Sequence, residues 1–169
     1  MSVTVDILCE TPSWDEETLS DWARAGFHAA FRYLELERGD WEISVLACDD
    51  ARIAELNAEF RGKPVPTNVL SWPSEERGAD ADGGRPDAPD PDDPMAAELG
   101  DIAIAYETCA AEAVTANKPI DQHVTHLLVH ALLHLLGYDH ERDKDAALME
   151  GIETAILASL GHPDPYRVD

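Results

Sequence analysis

The chain has 169 residues and a globular composition, with 44% apolar and 28% charged residues. This length is most simply one domain, covering residues 1–169, with enough apolar material for a sizeable core. Acidic residues outnumber basic ones by 35 to 12, which gives a net charge of −23. That excess argues against diffuse, sequence-independent binding of nucleic acid, which requires clustered lysine and arginine.

The sequence contains no indication of a membrane partner or of export. Its best apolar run, residues 127–136, is too short to span a bilayer and is interrupted by histidine. The first residues lack the basic and apolar regions of a secretory signal. Cys9, Cys48 and Cys109 are widely separated, so we expect buried, reduced thiols rather than disulfides or zinc ligands. We therefore predict a cytoplasmic protein.

The first part of the chain predicts a strand, a helix and a second strand. Residues 3–7 (VTVDI) alternate apolar and polar side chains in the manner of a half-buried strand. Residues 16–36 place apolar side chains at helical spacing, with Ser13 as a candidate N-cap. Residues 41–47 (WEISVLA) are predicted to form the second strand.

A second helix and a short strand are predicted next. Either Asp49 or Asp50 is expected to cap a helix that runs through Phe60. The Pro-Val-Pro sequence at 64–66 stops this helix, because proline lacks the backbone N–H and clashes with the preceding turn. Residues 69–72 (VLSW) then predict a short strand.

Residues 74–95 differ in composition from the rest of the chain. They include eight acids, two arginines, four prolines and three glycines, and almost no side chain that would be buried. This composition predicts a disordered or mobile insertion between two strands. A regulatory or docking role is one interpretation of this segment, and a surface loop without a specific function is the other.

The remainder predicts one more strand followed by three helices. Residues 99–105 (LGDIAIA) alternate as a strand, and residues 106–116 and 123–136 are predicted helices, the second with Asp121 as its cap. A closing helix is predicted over 145–160. Strands and helices in this order predict an α+β fold, with helices packed on a single mixed β-sheet.

Three histidines in the run HALLHLLGYDH form the strongest functional signal. His130 and His134 are four residues apart in a leucine-rich helix, which places both imidazoles on one face. Gly137 allows the chain to turn back and bring His140 to the same point. Three histidines with an open fourth position are the ligand set of a catalytic zinc, which activates a bound water near neutral pH.

Two bounds on this interpretation remain at this point: the histidines could be core residues, or the metal centre could belong to a peptidase. A histidine on a leucine-rich helix is often only a core residue whose ring nitrogens are hydrogen-bonded. Two histidines at this spacing and a third after a glycine nevertheless favour a metal site. Metallopeptidases with paired helical histidines carry a glutamate directly after the first one, as general base. Ala131 occupies that position here, which argues against peptide hydrolysis.

The histidine run closely resembles the HGxLHLxGYDH signature of the YbeY family, bacterial endoribonucleases of ribosomal RNA maturation. Residues 56–61 (LNAEFR) and 66–73 (PTNVLSWP) resemble the family's LNxxyR and PTDVLSFP segments, and residues 100–102 (GDI) resemble its GDI strand. The match runs in order from residue 56 to residue 140, and the preceding residues fit the family's strand-helix-strand opening.

This resemblance implies a zinc-dependent, single-strand-specific endoribonuclease acting in small-subunit ribosomal RNA maturation and ribosome quality control. The implied partners are ribosomal RNA, the small ribosomal subunit and its basic proteins, with neither DNA nor a membrane. An alternative is a metal-stabilised ribosome-assembly factor without nuclease activity, which the acidic surface would also suit. A metallopeptidase is the weaker alternative.

The resemblance also assigns roles to single residues. One Zn²⁺ ion is held by the three histidines, and Arg61 matches an arginine associated with activity, where it would bind the scissile phosphate. The alternative for Arg61 is a surface salt bridge. Asp139 is a tentative catalytic residue that would orient a ligating imidazole. Asp101 would do likewise or only close a strand, and His126 would line the cleft or serve the core or surface.

The chain departs from the family pattern at three places. Ala131 replaces a glycine, which favours the helix and leaves the metal ligands intact. Asn68 stands where the pattern has Asp, which puts any role of that carboxylate in doubt. The acidic insertion at 74–95 is long and is expected to lie near strands that border the cleft.

Overall fold

Alternating apolar side chains produce four strands, which pair into one mixed sheet. The computed structural model describes residues 1–167. The strands are β1 (Ser2–Cys9), β2 (Asp40–Cys48), β3 (Val69–Pro73) and β4 (Glu98–Ala105). Their order across the sheet is β1-β2-β4-β3; β1, β2 and β4 run parallel, and β3 pairs antiparallel with β4 at one edge. The predicted α+β fold with a mixed sheet is confirmed.

The described residues form five α-helices around this sheet. They are α1 (Glu16–Tyr33), α2 (Asp50–Arg61), α3 (Tyr106–Thr115), α4 (Ile120–Leu135) and α5 (Asp143–Ser159). Helices α1 and α4 pack together on one face of the sheet, and α5 packs against both. Helix α2 lies on the opposite face, where Ile53 forms a small second core with Leu70 and Ala103. Helix α4 is therefore held on several sides within the main core.

Two of the predicted N-caps are wrong. Helix α1 is capped by Asp15, whose carboxylate accepts the N–H three residues on at 3.1 Å, and not by Ser13. Serine and aspartate cap equally well, so the sequence does not separate them. Helix α4 begins directly after Pro119, and Asp121 lies within its first turn, where its charge complements the helix dipole. Of the two candidates for α2, the cap is Asp49.

The insertion at residues 74–95 contains no strand and no α-helix, yet it packs on the domain. The Arg77 side chain is only 5% exposed, and its Nη1 donates to the Leu135 carbonyl at 3.2 Å. The Gly83 N–H donates to the Asp145 carboxylate at 2.7 Å. The segment is thus tied to the end of α4 and to the start of α5. Whether it moves in solution stays a prediction.

Two of the three cysteines are buried as the sequence predicts. Cys48 and Cys109 are buried, Cys9 is half-buried, and all three are free thiols. Burial raises the pKa of Cys48 to about 12, so that thiol stays protonated near neutral pH. Over the part of the chain that the structure describes, no helix is both long and apolar enough to span a bilayer.

Candidate metal centre and cleft

Two of the three predicted ligands lie together on one face of α4. The helix buries its apolar side chains, including Val124, Leu128 and Leu132, and leaves His130 and His134 partly exposed. The ring centroids of the two histidines lie 4.6 Å apart. Their Nε2 atoms lie 3.1 Å apart, so the helical spacing brings both potential donor atoms to one point.

A glycine turn brings the third histidine back to the first two. Gly137 has a φ of +101°, a conformation that residues with a side chain rarely adopt. The His140 ring centroid then lies 5.3 Å from that of His130 and 5.0 Å from that of His134. One potential ligand atom from each histidine lies within 4.8 Å of the other two. This arrangement fits around a single metal ion.

The surroundings of His134 prepare it for a metal. Burial, and then the neighbouring His130 and His140, lower the pKa of His134 to about 4. The imidazole is therefore neutral near pH 7 and offers a lone pair to a cation. Three imidazoles are a zinc donor set, but nickel, copper and iron accept the same donors. The residues thus fit a metal without selecting which one.

A buried carboxylate that the sequence analysis does not predict lies behind the histidines. Glu153 on α5 is 0% exposed. Its Oε1 accepts from His130 Nδ1 at 2.7 Å and from His126 Nε2 at 3.2 Å, and its Oε2 accepts from the Tyr166 hydroxyl at 2.6 Å. Burial by itself raises the pKa of Glu153, but these hydrogen bonds outweigh burial and the pKa is lowered to about 2. The carboxylate is therefore ionised.

The sequence contains one signal that points to Glu153. Within α5 it falls on the stripe of buried residues formed by Met149, Ile152 and Ile156. An acid inside an apolar stripe needs a partner, because an unpaired buried charge is costly. No comparable signal marks Tyr166, which follows α5 in an irregular segment and reaches Glu153 through the tertiary fold alone.

The histidines open into a cleft of about 680 Å³ beside the β3 edge of the sheet. The charged side chains that line it, besides His134 and His140, are Arg61, Lys63, Arg77, Glu75, Glu76, Asp139 and Glu141. The cleft thus holds three of the chain's 12 basic residues but only four of its 35 acidic residues. The excess of negative charge is locally much reduced here.

The predicted catalytic arginine reaches this cleft from the end of α2. Arg61 lies in the last turn of the helix, which Gly62 ends in a left-handed conformation. The buried Asn57 donates to the Val65 carbonyl at 3.0 Å and so holds the loop that carries Lys63. Within the described residues the Arg61 guanidinium forms no ion pair, so the alternative of a surface salt bridge is not observed.

Asp139 and Asp101 lie in different places. Asp139 lines the cleft, and its Oδ1 accepts the His140 backbone N–H at 2.7 Å. Between residues 1 and 167, the carboxylate that bonds a ligating imidazole is Glu153, and no hydrogen bond joins Asp139 to a ring. Asp101 does not reach the histidines, because it points to the α2 face of the sheet, beside Ser44.

Asn68 has a clear partner of its own. Its Nδ2 donates to the two carboxylate oxygens of Glu112 at 3.1 and 3.3 Å, and its Oδ1 accepts the Val69 N–H at 2.7 Å. An aspartate at this position would face the Glu112 carboxylate with a like charge. The amide therefore suits this chain, and its side chain faces α3 rather than the cleft.

Three converging imidazoles that could hold a metal ion, beside a cleft lined by Arg61 and Lys63 on an α+β scaffold, are the arrangement of a metal-dependent hydrolase. The chain belongs to the YbeY family: the family model described as endoribonuclease YbeY matches residues 5–161. An endoribonuclease YbeY from Dinoroseobacter shibae is 58% identical over 164 residues, which cover 97% of this chain and 91% of the relative. Another, from Ruegeria pomeroyi, is 56% identical over 167 residues, covering 99% of this chain and 100% of the relative.

A solved structure supports the fold. The solution structure of TM1509 from Thermotoga maritima matches 98% of this chain and 100% of that chain, with a TM-score of 0.55 and 19% sequence identity. At this identity the likeness concerns the architecture alone. The family resemblance predicted from the sequence motifs is confirmed.

Proposed function

We propose that this protein is a zinc-dependent, single-strand-specific endoribonuclease that matures small-subunit ribosomal RNA and acts in ribosome quality control. Membership of the endoribonuclease YbeY family supports RNA hydrolysis as its reaction. The observation that carries the proposal is a single cleft lined by Arg61, Lys63 and two of the three predicted metal ligands, His134 and His140.

Each of these residues has a defined role in phosphodiester cleavage. His130, His134 and His140 would hold the zinc ion, which when bound would supply Lewis acidity and a water nucleophile near neutral pH. Arg61 binds the scissile phosphate through its planar guanidinium, whose paired N–H groups match two phosphate oxygens. It then stabilises the negative charge that develops on those oxygens. Lys63 binds an adjacent phosphate as a point charge.

Asp139 acts on the metal site through the backbone. By accepting the His140 N–H at 2.7 Å, its carboxylate fixes the peptide that carries the third ligand. From the sequence, Asp139 is expected to orient a ligating imidazole by bonding its ring, and this contact with the backbone is a different role. Asp139 is still a positioning residue, because it acts through His140 and not on the reacting atoms.

The arrangement does not suit a peptidase. Ala131, at the position of the usual glutamate, is buried and has no ionisable group. Glu153 cannot replace that general base, because it is 0% exposed and both of its oxygens already accept hydrogen bonds. A phosphodiester also makes better use of the cations Arg61 and Lys63 than a peptide bond does.

The charge distribution favours single-stranded RNA over duplex RNA as the substrate. A cleft of about 680 Å³ is within the usual range for a small-molecule site, and it admits a nucleotide-sized segment. The second backbone of a duplex would lie against the acidic surface outside the cleft and be repelled. The same acidic surface is complementary to basic ribosomal proteins, which would deliver the enzyme to the small subunit.

The decisive test is cleavage of single-stranded and duplex RNA by nuclease-free protein with added Zn²⁺. Arg61→Ala should lower kcat/KM about 10²–10³-fold, the usual effect of removing one charge-stabilising donor. Arg32→Ala is the matched control, because Arg32 is likewise an exposed arginine in the last turn of a helix and does not line the cleft. It should leave cleavage unchanged.

Two results would contradict the proposal. Cleavage by Arg61→Ala at the wild-type rate would remove the phosphate-binding role, provided that circular dichroism shows both arginine variants folded. A wild-type protein that binds zinc and the small subunit but cleaves no RNA would identify a metal-stabilised assembly factor instead.

A further inference from the structure

We propose that Glu153 is a positioning residue for the metal ligand His130, and that Tyr166 and His126 hold Glu153 in place. The inference rests on the proposed metal site. It concerns three residues of this chain that lie behind the ligands and outside the cleft.

The contact with Glu153 determines which nitrogen of His130 faces the metal. Glu153 accepts from the Tyr166 hydroxyl through Oε2, and with Oε1 as the acceptor the 2.7 Å contact places the proton of His130 on Nδ1. The other nitrogen, Nε2, is then the lone-pair atom, and it is the one that lies 3.1 Å from His134 Nε2. Carboxylates in this position orient ligating imidazoles and increase their basicity.

Tyr166 closes the other side of the carboxylate. Its hydroxyl donates to Glu153 Oε2 at 2.6 Å, and its ring packs edge-on against His126 with centroids 5.5 Å apart. The segment that carries it is anchored where the Tyr166 N–H donates to Asp164 and the Lys118 ammonium donates to the Pro165 carbonyl, each at 2.9 Å. Both oxygens of Glu153 therefore have donors.

A purely structural role explains this arrangement poorly. Burying a carboxylate is costly, and an apolar residue at such a position often leaves a fold equally stable or more stable. Helix α5 offers a comparison in Asp145, another buried carboxylate, which bonds the Gly83 N–H and Arg142 and so anchors the insertion. Asp145 contacts no histidine, whereas Glu153 contacts two.

The experiment measures Zn²⁺ affinity by competition with a chromophoric chelator in four proteins: wild type, Glu153→Gln, Tyr166→Phe and the control Asp145→Asn. Glu153→Gln keeps the shape and removes the charge, and should weaken Zn²⁺ binding about 10–100-fold. Tyr166→Phe removes one hydrogen bond and should weaken it about two- to tenfold. Asp145→Asn should lower the thermal stability while leaving the Zn²⁺ affinity unchanged.

A second readout reports the geometry directly. In the metal-free wild type, ¹⁵N NMR of the imidazoles should show His130 protonated at Nδ1, and in Glu153→Gln this tautomer should lose its dominance. A purely structural carboxylate would lower stability without changing the tautomer.

The outcomes separate this inference from the proposed function. Wild-type Zn²⁺ affinity in both Glu153→Gln and Tyr166→Phe would overturn the inference, whatever the RNA assay gives. If Glu153→Gln does not fold, Tyr166→Phe decides alone, because Tyr166 is 41% exposed and keeps its ring. A wild type that binds zinc but cleaves no RNA removes the proposed function and leaves the inference standing.

Discussion

Replacing Gly137 with alanine tests whether the insertion holds the turn between α4 and the third histidine. At a φ of +101° an alanine side chain is strained. Its Cβ would also lie 2.7, 2.8 and 2.9 Å from the carbonyl carbon, carbonyl oxygen and Cβ of Arg77. Because Arg77 is anchored by its hydrogen bond to Leu135, either the turn or the insertion has to move.

The expected destabilisation is the sum of two costs. The left-handed conformation costs alanine about 1–2 kcal/mol, and forcing a methyl group into a packed contact costs about 1–3 kcal/mol. The free energy of unfolding should therefore fall by about 2–5 kcal/mol, which lowers Tm by about 4–20 °C for a chain of this size. Zn²⁺ affinity should fall as well, since the turn joins His134 to His140.

Thermal unfolding, monitored by circular dichroism, is compared for Gly137→Ala and two glycine controls. The comparison separates the cost of the packed contact from the cost of the left-handed conformation. Gly62→Ala also has a positive φ, +71°, but its Cβ would meet nothing within 4 Å, so it should lose only about 1–2 kcal/mol. Gly151→Ala lies in open space on α5 and should gain about 0.5–1 kcal/mol. The reasoning is refuted if Gly137→Ala loses no more stability than Gly62→Ala.

Three further predictions concern the metal-free state, the metal and the departure at Asn68. Without metal, the free energy of unfolding should fall by about 3 kcal/mol as pH drops from about 6.5 to 4, because the unfolded chain gains a proton that folded His134, with its pKa of about 4, does not. Urea unfolding with chelator checks this, and His134→Gln should reduce the slope. Zn²⁺ at about 1,000 times its Kd should add about 4 kcal/mol of stability; a Tm shift that persists in His140→Ala would place the ion elsewhere. Asn68→Asp would place a second carboxylate against Glu112 and should cost about 1 kcal/mol at pH 7, which urea unfolding of the variant beside the wild type measures.

The parts of the fold that the sequence predicts are those with a local physical cause. Alternation of side chains marks the strands, and the spacing of His130, His134 and Gly137 marks both the helix face and its end, because these patterns depend on backbone geometry alone. The prediction of the three metal ligands follows from the same periodicity. The structure places all three imidazoles together as that spacing requires.

The parts that the sequence does not predict depend on contacts between distant segments. Glu153 lies 23 residues beyond His130, and nothing in the spacing shows that α5 crosses behind α4 at that point. Residues 74–95 have no periodicity, so their composition cannot show that Arg77 becomes buried against the end of α4. Choosing Asp15 over Ser13 as a cap also depends on how the preceding loop packs, and not on propensity.

Salt should act on RNA binding by this protein in two opposite directions. The field of a molecule with a net charge of −23 repels RNA at long range, and salt shortens its reach to about 10 Å at 0.1 M. The proposed contacts of Arg61 and Lys63 with phosphates would release counterions, a gain that shrinks as salt rises. RNA affinity should therefore pass through a maximum at intermediate ionic strength, whereas an ordinary basic RNA-binding protein loses affinity throughout. The acidic surface would then keep the protein from binding bare RNA until cations or basic proteins screen its charge.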